Sequence, residues 1–242
     1  MEITERQLRR MAADVDELHH ESLGAMADDL RDLHAETRRF RKDRRRLLTA
    51  AGAGGLALGV GSSVWPFTPL VAAFGQEGND GDVAGFAESI ELAVVAAYTT
   101  AAQSGKLQPA VKDVGVLFAR HHQAHADAFG GAAGPTATNK ANPKLLEELG
   151  PRLAAAIEAG QAKILELAID LENGAAATYL FALGVLRTPA ALKLTASILP
   201  VESQHATVLA IALGRSGKDL FPTDARETDA KKLDPAAYPP SA

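Results

Sequence analysis

Two stretches of this sequence repeat the same residue types at nearly the same intervals. Glu91 is followed seven residues later by Tyr98, and then by His122 and His125; Glu172 is followed seven residues later by Tyr179, and then by Glu202 and His205. From the lone glutamate to the last histidine is 34 residues in the first stretch and 33 in the second. Residues at i and i+3 of a helix lie on one face, about one turn apart. His122 with His125, and Glu202 with His205, can therefore each converge on one point. A lone carboxylate plus an i, i+3 pair, supplied twice by four helices, is how a helical bundle builds a dinuclear carboxylate site. Carboxylate oxygen and imidazole nitrogen together suit iron, manganese or zinc. The candidate ligands are thus Glu91, His122, His125, Glu172, Glu202 and His205. Tyr98 and Tyr179, repeated at the same offset, read as core aromatics whose hydroxyls bond to the site carboxylates.

Helices must position these groups, and the composition favours them. Apolar residues make up 47% of 242 positions while aromatics are only 5%, with Ala and Leu abundant, a balance suited to an all-α core. The first helix is expected from Asp82 to about Gln103, stopped by Ser104-Gly105. The second is expected from Pro109 to Phe129, stopped by Gly130-Gly131. A Gly-, Pro- and Asn-rich connection follows, with a charged helical piece from Lys144 to about Leu149. A third long helix is expected over 153–186, with Gly160 or Gly174 as a point of interruption. Thr188-Pro189 caps a fourth, which runs to about Gly214 and must absorb Pro200. Short connections within each pair and a long one between pairs give two hairpins joined by a crossover. Residues 216–242 read as a polar, proline-containing tail without a core-forming pattern.

Over residues 82–215 the sequence resembles the ferritin-like domain proteins, particularly their exported bacterial branch. The resemblance rests on Glu-x6-Tyr occurring twice and on the two i, i+3 pairs. It implies a ferritin-like four-helix bundle with one long crossover. It also implies a non-haem di-iron or di-manganese centre in which each metal takes a terminal Glu and a His, while a Glu from each i, i+3 pair bridges. By position, Glu91, His125, Glu172, Glu202 and His205 match that pattern. His122 stands where the first bridging glutamate belongs, and an imidazole cannot bridge through two oxygens. Three outcomes are open: a dinuclear centre bridged by Glu202 alone, a single-metal site, or no metal. The resemblance further implies oxygen, peroxide or iron chemistry. The alternative is a non-catalytic cell-envelope protein with a degenerate metal site, acting as a structural or partner-binding module.

The N-terminal region reads as an address. Residues 38–46 carry seven basic side chains against one acid, and residues 47–76 carry no charge, the pattern of an export signal. Asp43-Arg44-Arg45-Arg46-Leu47-Leu48 resembles the twin-arginine export motif, with Arg44 and Arg45 as its pair. Residues 1–46 are then a charged, partly helical extension. Residues 47–76 are a signal cleaved after Val71-Ala72-Ala73, or a membrane anchor if uncleaved. The expected partner is the twin-arginine export machinery, and the expected location is the periplasm or cell envelope. Within 1–37, Leu8, Met11, Val15 and Leu18, then Leu23, Met26, Leu30 and Leu33, form two apolar helical stripes. They suggest a solvated extension or a docking segment for a cytoplasmic partner. His19 and His20 read as solvent-facing. His121 is read as a possible supporting group behind the ligands, and Asp127 as pointing elsewhere. There is no cysteine, so disulfides, thiolate sites and thiol nucleophiles are excluded. A net charge of −5 gives no sign of a nucleic-acid surface, no phosphate-binding loop or nucleophile elbow occurs, and a homo-oligomer is left open.

Overall fold

A computed structural model of the chain describes residues 3–21, 80–220 and 230–240. These residues form helices without strands: α1 (residues 5–21), α2 (Asp80–Gln103), α3 (Pro109–Ala133), α4 (Pro143–Ala159), α5 (Gln161–Ala182) and α6 (Pro189–Ala212), with two short 3-10 turns. Helices α2 and α3 pack along one another, as do α5 and α6, and α4 lies in the crossover between the pairs, against α2 and α5. Arg44, Arg45, the second apolar stripe and the charge-free run 47–76 lie outside the described residues. Helix α2 is itself long and apolar enough to cross a membrane, but here it is the most enclosed member of the bundle and carries buried Glu91.

Local chemistry accounts for most helix ends. Asn142 caps α4 by accepting from the Leu145 amide, and Thr188 caps α6 by accepting from the Ala191 amide, each ahead of a proline at the first helical position. Helix α2 begins two residues before the expected Asp82. The Asp80 carboxylate instead accepts the Arg187 and Thr188 amides, tying the start of α2 to the loop that joins α5 and α6.

Three expectations need correction. Helix α3 runs through Gly130-Gly131 to Ala133 and ends at Gly134, where φ is 58°. Gly130 is there for close packing, not termination: a Cβ at this position would lie 2.8 Å from Glu88 Oε1. That carboxylate is occupied in accepting the Thr138 and Asn139 amides at 2.6 and 3.1 Å. The third helical stretch is broken at Gly160, one of the two glycines read as break points, where a φ of 100° suits glycine; what differs is that α4 begins at Pro143 and passes through Pro151, and that Gly174 interrupts nothing. The tail is not featureless, because Leu233 and Tyr238 pack against the core around Ile90, Leu145 and Leu167. The Tyr238 hydroxyl donates to Glu148, and Asn142 Nδ2 donates to the Tyr238 and Pro239 carbonyls.

The largest correction concerns α1. It starts with a capping box, in which Gln7 Oε1 accepts the Thr4 amide and Thr4 Oγ1 accepts the Gln7 amide. Its inner face is Leu8, Ala12, Val15 and His19, all buried, and the three apolar members join the core formed by Val111, Phe118 and Leu209. The Arg9 guanidinium also pairs with Asp113 of α3. Over residues 5–21 the chain is therefore part of the packed structure and not a solvated extension. The packing face is rotated from the stripe read in the sequence: Met11 is half-buried and Leu18 is 52% exposed.

Candidate metal centre

Each of the four bundle helices delivers its share of one buried cluster. Glu91 comes from α2, His122 and His125 from α3, Glu172 from α5, and Glu202 and His205 from α6. All six are 1% exposed or less. Burial of that many ionisable side chains is costly unless they are paired or hold a metal. Two overlapping groups have the spacing a cation needs: Glu91, His122, His125 and Glu202, and His122, Glu172, Glu202 and His205, each with candidate ligand atoms within 4.8 Å of one another. Glu202 and His122 belong to both groups, so the two half-sites of the sequence repeat share their centre.

His122 lies across that centre. Its Nδ1 is 2.7 Å from Glu91 Oε2, and its Nε2 is 3.2 Å from Glu172 Oε1. Burial works against its imidazolium, but the carboxylates of Glu172, Glu202 and Glu91 more than offset this and hold its pKa well above that of a free histidine. Burial would raise both partner carboxylates; His122 and His125 bring Glu91 down to about 2, and His122 and His205 hold Glu172 well below the usual range. Glu202 is the exception, pushed up to about 8, chiefly by burial, with His122 opposing and Glu91 reinforcing. Burial also opposes the His125 imidazolium, yet Glu91 and Glu202 raise it to about 9. Burial lowers His205 to about 4 despite Glu172. Near neutral pH the metal-free cluster thus holds two carboxylates, two imidazoliums, one protonated carboxyl and one neutral imidazole, and is balanced in charge.

The tyrosines cross-link the halves. Tyr98, on the helix of Glu91, donates to Glu172; Tyr179, on the helix of Glu172, donates to Glu91. Burial, followed by the accepting carboxylate, raises both phenols well above their ordinary value, so each stays a donor. Each half of the repeat therefore orients the carboxylate of the other.

The donor set fits a metal on one observation in particular. His125 Nδ1 lies 2.9 Å from Glu202 Oε1, yet His125 Nδ1 and both Glu202 oxygens are buried without a hydrogen-bond partner among the described residues. Such orphaned atoms are uncommon. Atoms that are close but not aimed at each other have the arrangement expected of ligands directed at a shared cation.

Behind this cluster lies a layer of which the sequence reading had only His121. His205 Nε2 is 3.0 Å from His121 Nδ1, and His121 Nε2 is 2.9 Å from Asp16 Oδ1 on α1. His125 Nε2 is 3.2 Å from His19 Nε2, and the His19 ring stacks on His121 at 3.9 Å. His19, expected in solvent, is 3% exposed; His20 is exposed. The available signal was the 4-3-4 spacing of Leu8, Ala12, Val15 and His19 behind a capping box. Asp127 faces outward, bonded to Gln123.

Comparison with known proteins adds one finding: a model of the ferritin-like domain matches residues 79–215. No curated protein and no solved structure matches the chain.

Proposed function

The chain belongs to the ferritin-like domain family, and from that premise we propose that it binds non-haem iron or manganese in a dinuclear centre used for oxygen, peroxide or iron chemistry. The observation that carries this reading is the convergence of six buried ligand-type side chains, three of whose donor atoms have no hydrogen-bond partner among the described residues. Glu91 with His125 would hold one metal and Glu172 with His205 the other. Glu202 would be shared, and His122, on giving up one proton, would offer a single nitrogen to one of the halves. A metal held there supplies Lewis acidity and a change of oxidation state. The protein's own contribution is orientation and exclusion of water. Tyr98 and Tyr179 fix the terminal carboxylates, and the bundle buries the cluster. An apolar cavity of about 30 Å³, lined by Ala97, Tyr98, Val111, Gly115, Leu165 and Leu209, gives a molecule the size of dioxygen a place beside Tyr98.

The test is metal content of the full chain expressed with iron and manganese available, with Glu172→Ala beside it. Near two metals per chain, lost in the variant, supports the dinuclear reading, and near one makes the centre mononuclear. No metal above the variant's background removes it. One observation favours the second reading, a non-catalytic envelope module: His122 and His125 already neutralise the cluster without any metal. Absence of metal would leave that reading standing.

We further propose export through the Arg44-Arg45 motif. Lysine at both positions should retain the chain in the cytoplasmic fraction, and unchanged fractionation would reject the motif.

A further inference from the structure

We propose that α1 is a working part of the metal site, supplying His19 and Asp16 as positioning residues for two of its nitrogen ligands, His125 and His205. This rests on the metal-binding reading above and extends it to a helix that lies outside the matched domain.

The geometry is directional. His125 and His205 both turn Nδ1 toward the carboxylates, at 2.9 Å from Glu202 and 3.3 Å from Glu172 respectively. Their Nε2 atoms face away from the carboxylates, His125 toward His19 of α1 and His205 toward His121 of α3. A histidine that binds a metal through Nδ1 carries its proton on Nε2, and an acceptor there fixes both the tautomer and the ring plane. His19 Nε2 is the acceptor for His125. His121 Nδ1 is the acceptor for His205, and His121 can accept only if its own proton sits on Nε2, where Asp16 Oδ1 receives it. The stacked His19 and His121 rings lock the two arms together. Phe118 stacks on the other ligand ring, His205, at 3.9 Å, so that imidazole is held both in its plane and across it.

Among the described residues, α1 supplies His19 and the Asp16 carboxylate behind His121, while His121 itself comes from α3. The burial of Leu8, Ala12 and Val15 seats α1 so that the next inward positions, Asp16 and His19, meet the site. Apolar docking near the start of the helix thus becomes polar recognition near its end.

The experiment uses the full chain with Co(II) as probe, followed by its visible absorption. His19→Ala and Asp16→Ala should each weaken Co(II) binding by about 10–100-fold and alter the band pattern, without changing the number of ions bound. His19→Gln and Asp16→Asn keep an acceptor oxygen in reach and should return affinity to within about threefold of the parent. Glu17→Ala, exposed on the same helix, should change nothing. Circular dichroism identifies any variant that fails to fold, and the Gln and Asn variants then decide. Nitrogen-15 shifts of the His205 imidazole in the metal-free chain give a second readout, since they report its tautomer directly. The Glu172 carboxylate competes for the ring proton at Nδ1, so an Nε2–H form present in the parent and lost in Asp16→Ala supports the positioning role even if no metal binds. Alanine variants that keep the parental affinity, bands and His205 tautomer overturn the proposal. Binding lost in Glu172→Ala but retained in the α1 variants would leave the metal reading intact and sink this one alone.

Discussion

Replacing His122 with leucine tests the idea that this residue serves as the internal cation of the cluster. Leucine is close to histidine in volume and has no donor. The change leaves a filled core but removes the group that reaches Glu91 at 2.7 Å and Glu172 at 3.2 Å. Both carboxylates keep a tyrosine hydroxyl, but their charge loses its nearest counterpart in a site without solvent. Breaking a buried pair from one side costs about 3–5 kcal/mol. For a domain of this size each kcal/mol moves Tm by roughly 2–4 °C, so the variant should melt about 6–20 °C below the parent. The assay is thermal unfolding at pH 7 in excess chelator, followed by circular dichroism. A second substitution separates charge from packing. Glu91→Gln on its own should destabilise, but in the His122→Leu background it should restore stability, because it removes the charge that was stranded. A Tm within about 2 °C of the parent, or a double variant weaker than His122→Leu, would refute the argument.

Other consequences can be checked on the same material. His122→Glu restores the carboxylate expected from the repeat; it should lower metal-free stability further and bring metal content closer to two per chain, read by elemental analysis. Metal loading must displace protons, because the raised values of His122, of His125 at about 9 and of Glu202 at about 8 leave all three protonated at pH 7. Groups that bind protons in competition with metal make apparent affinity rise with pH, here from about 7 to about 9. Titration calorimetry in two buffers of different ionisation enthalpy should show that release, and buffer-independent heats would count against it. Tyr98→Phe and Tyr179→Phe each remove a hydrogen bond to a buried carboxylate and should cost about 1.5–3 kcal/mol in denaturant unfolding. Cysteines placed at positions 9 and 113, in a chain with none of its own, should be joined efficiently by a short bismaleimide if α1 docks as described; failure to crosslink would place α1 elsewhere.

The convergence of the six buried Glu and His side chains was legible in the sequence because helical periodicity is short-ranged. A Glu seven residues before a Tyr, and an i, i+3 pair, stay on one face wherever the helix goes. Helix starts at Pro109 and Pro189 were legible for the same reason, since capping is local chemistry. Gly130 was misread because its role is set by Glu88, some 40 residues earlier, and a glycine making room looks like a glycine ending a helix. Helix α1 was misread because its largest apolar side chains do not define the face that packs. The face that packs includes an alanine and a histidine, and only the surface they meet on α3 and α6 shows that they point inward. The tail was misread because two side chains, Leu233 and Tyr238, suffice to anchor it when the groove is supplied by other elements.

The docking of α1 also bears on chain topology. Residues 47–76 stand between α1 and the bundle. A single passage of that run through a bilayer would leave the two on opposite faces, and severing the chain after it would leave α1 behind. Packed together, they must occupy the same compartment, so the arrangement described here belongs to the chain on one side of any membrane. On the export reading this is the precursor. Its finished form would meet the outside world with the Nε2 edges of His121 and His125 uncovered, and with a furrow between α3 and α6 where a helix used to lie.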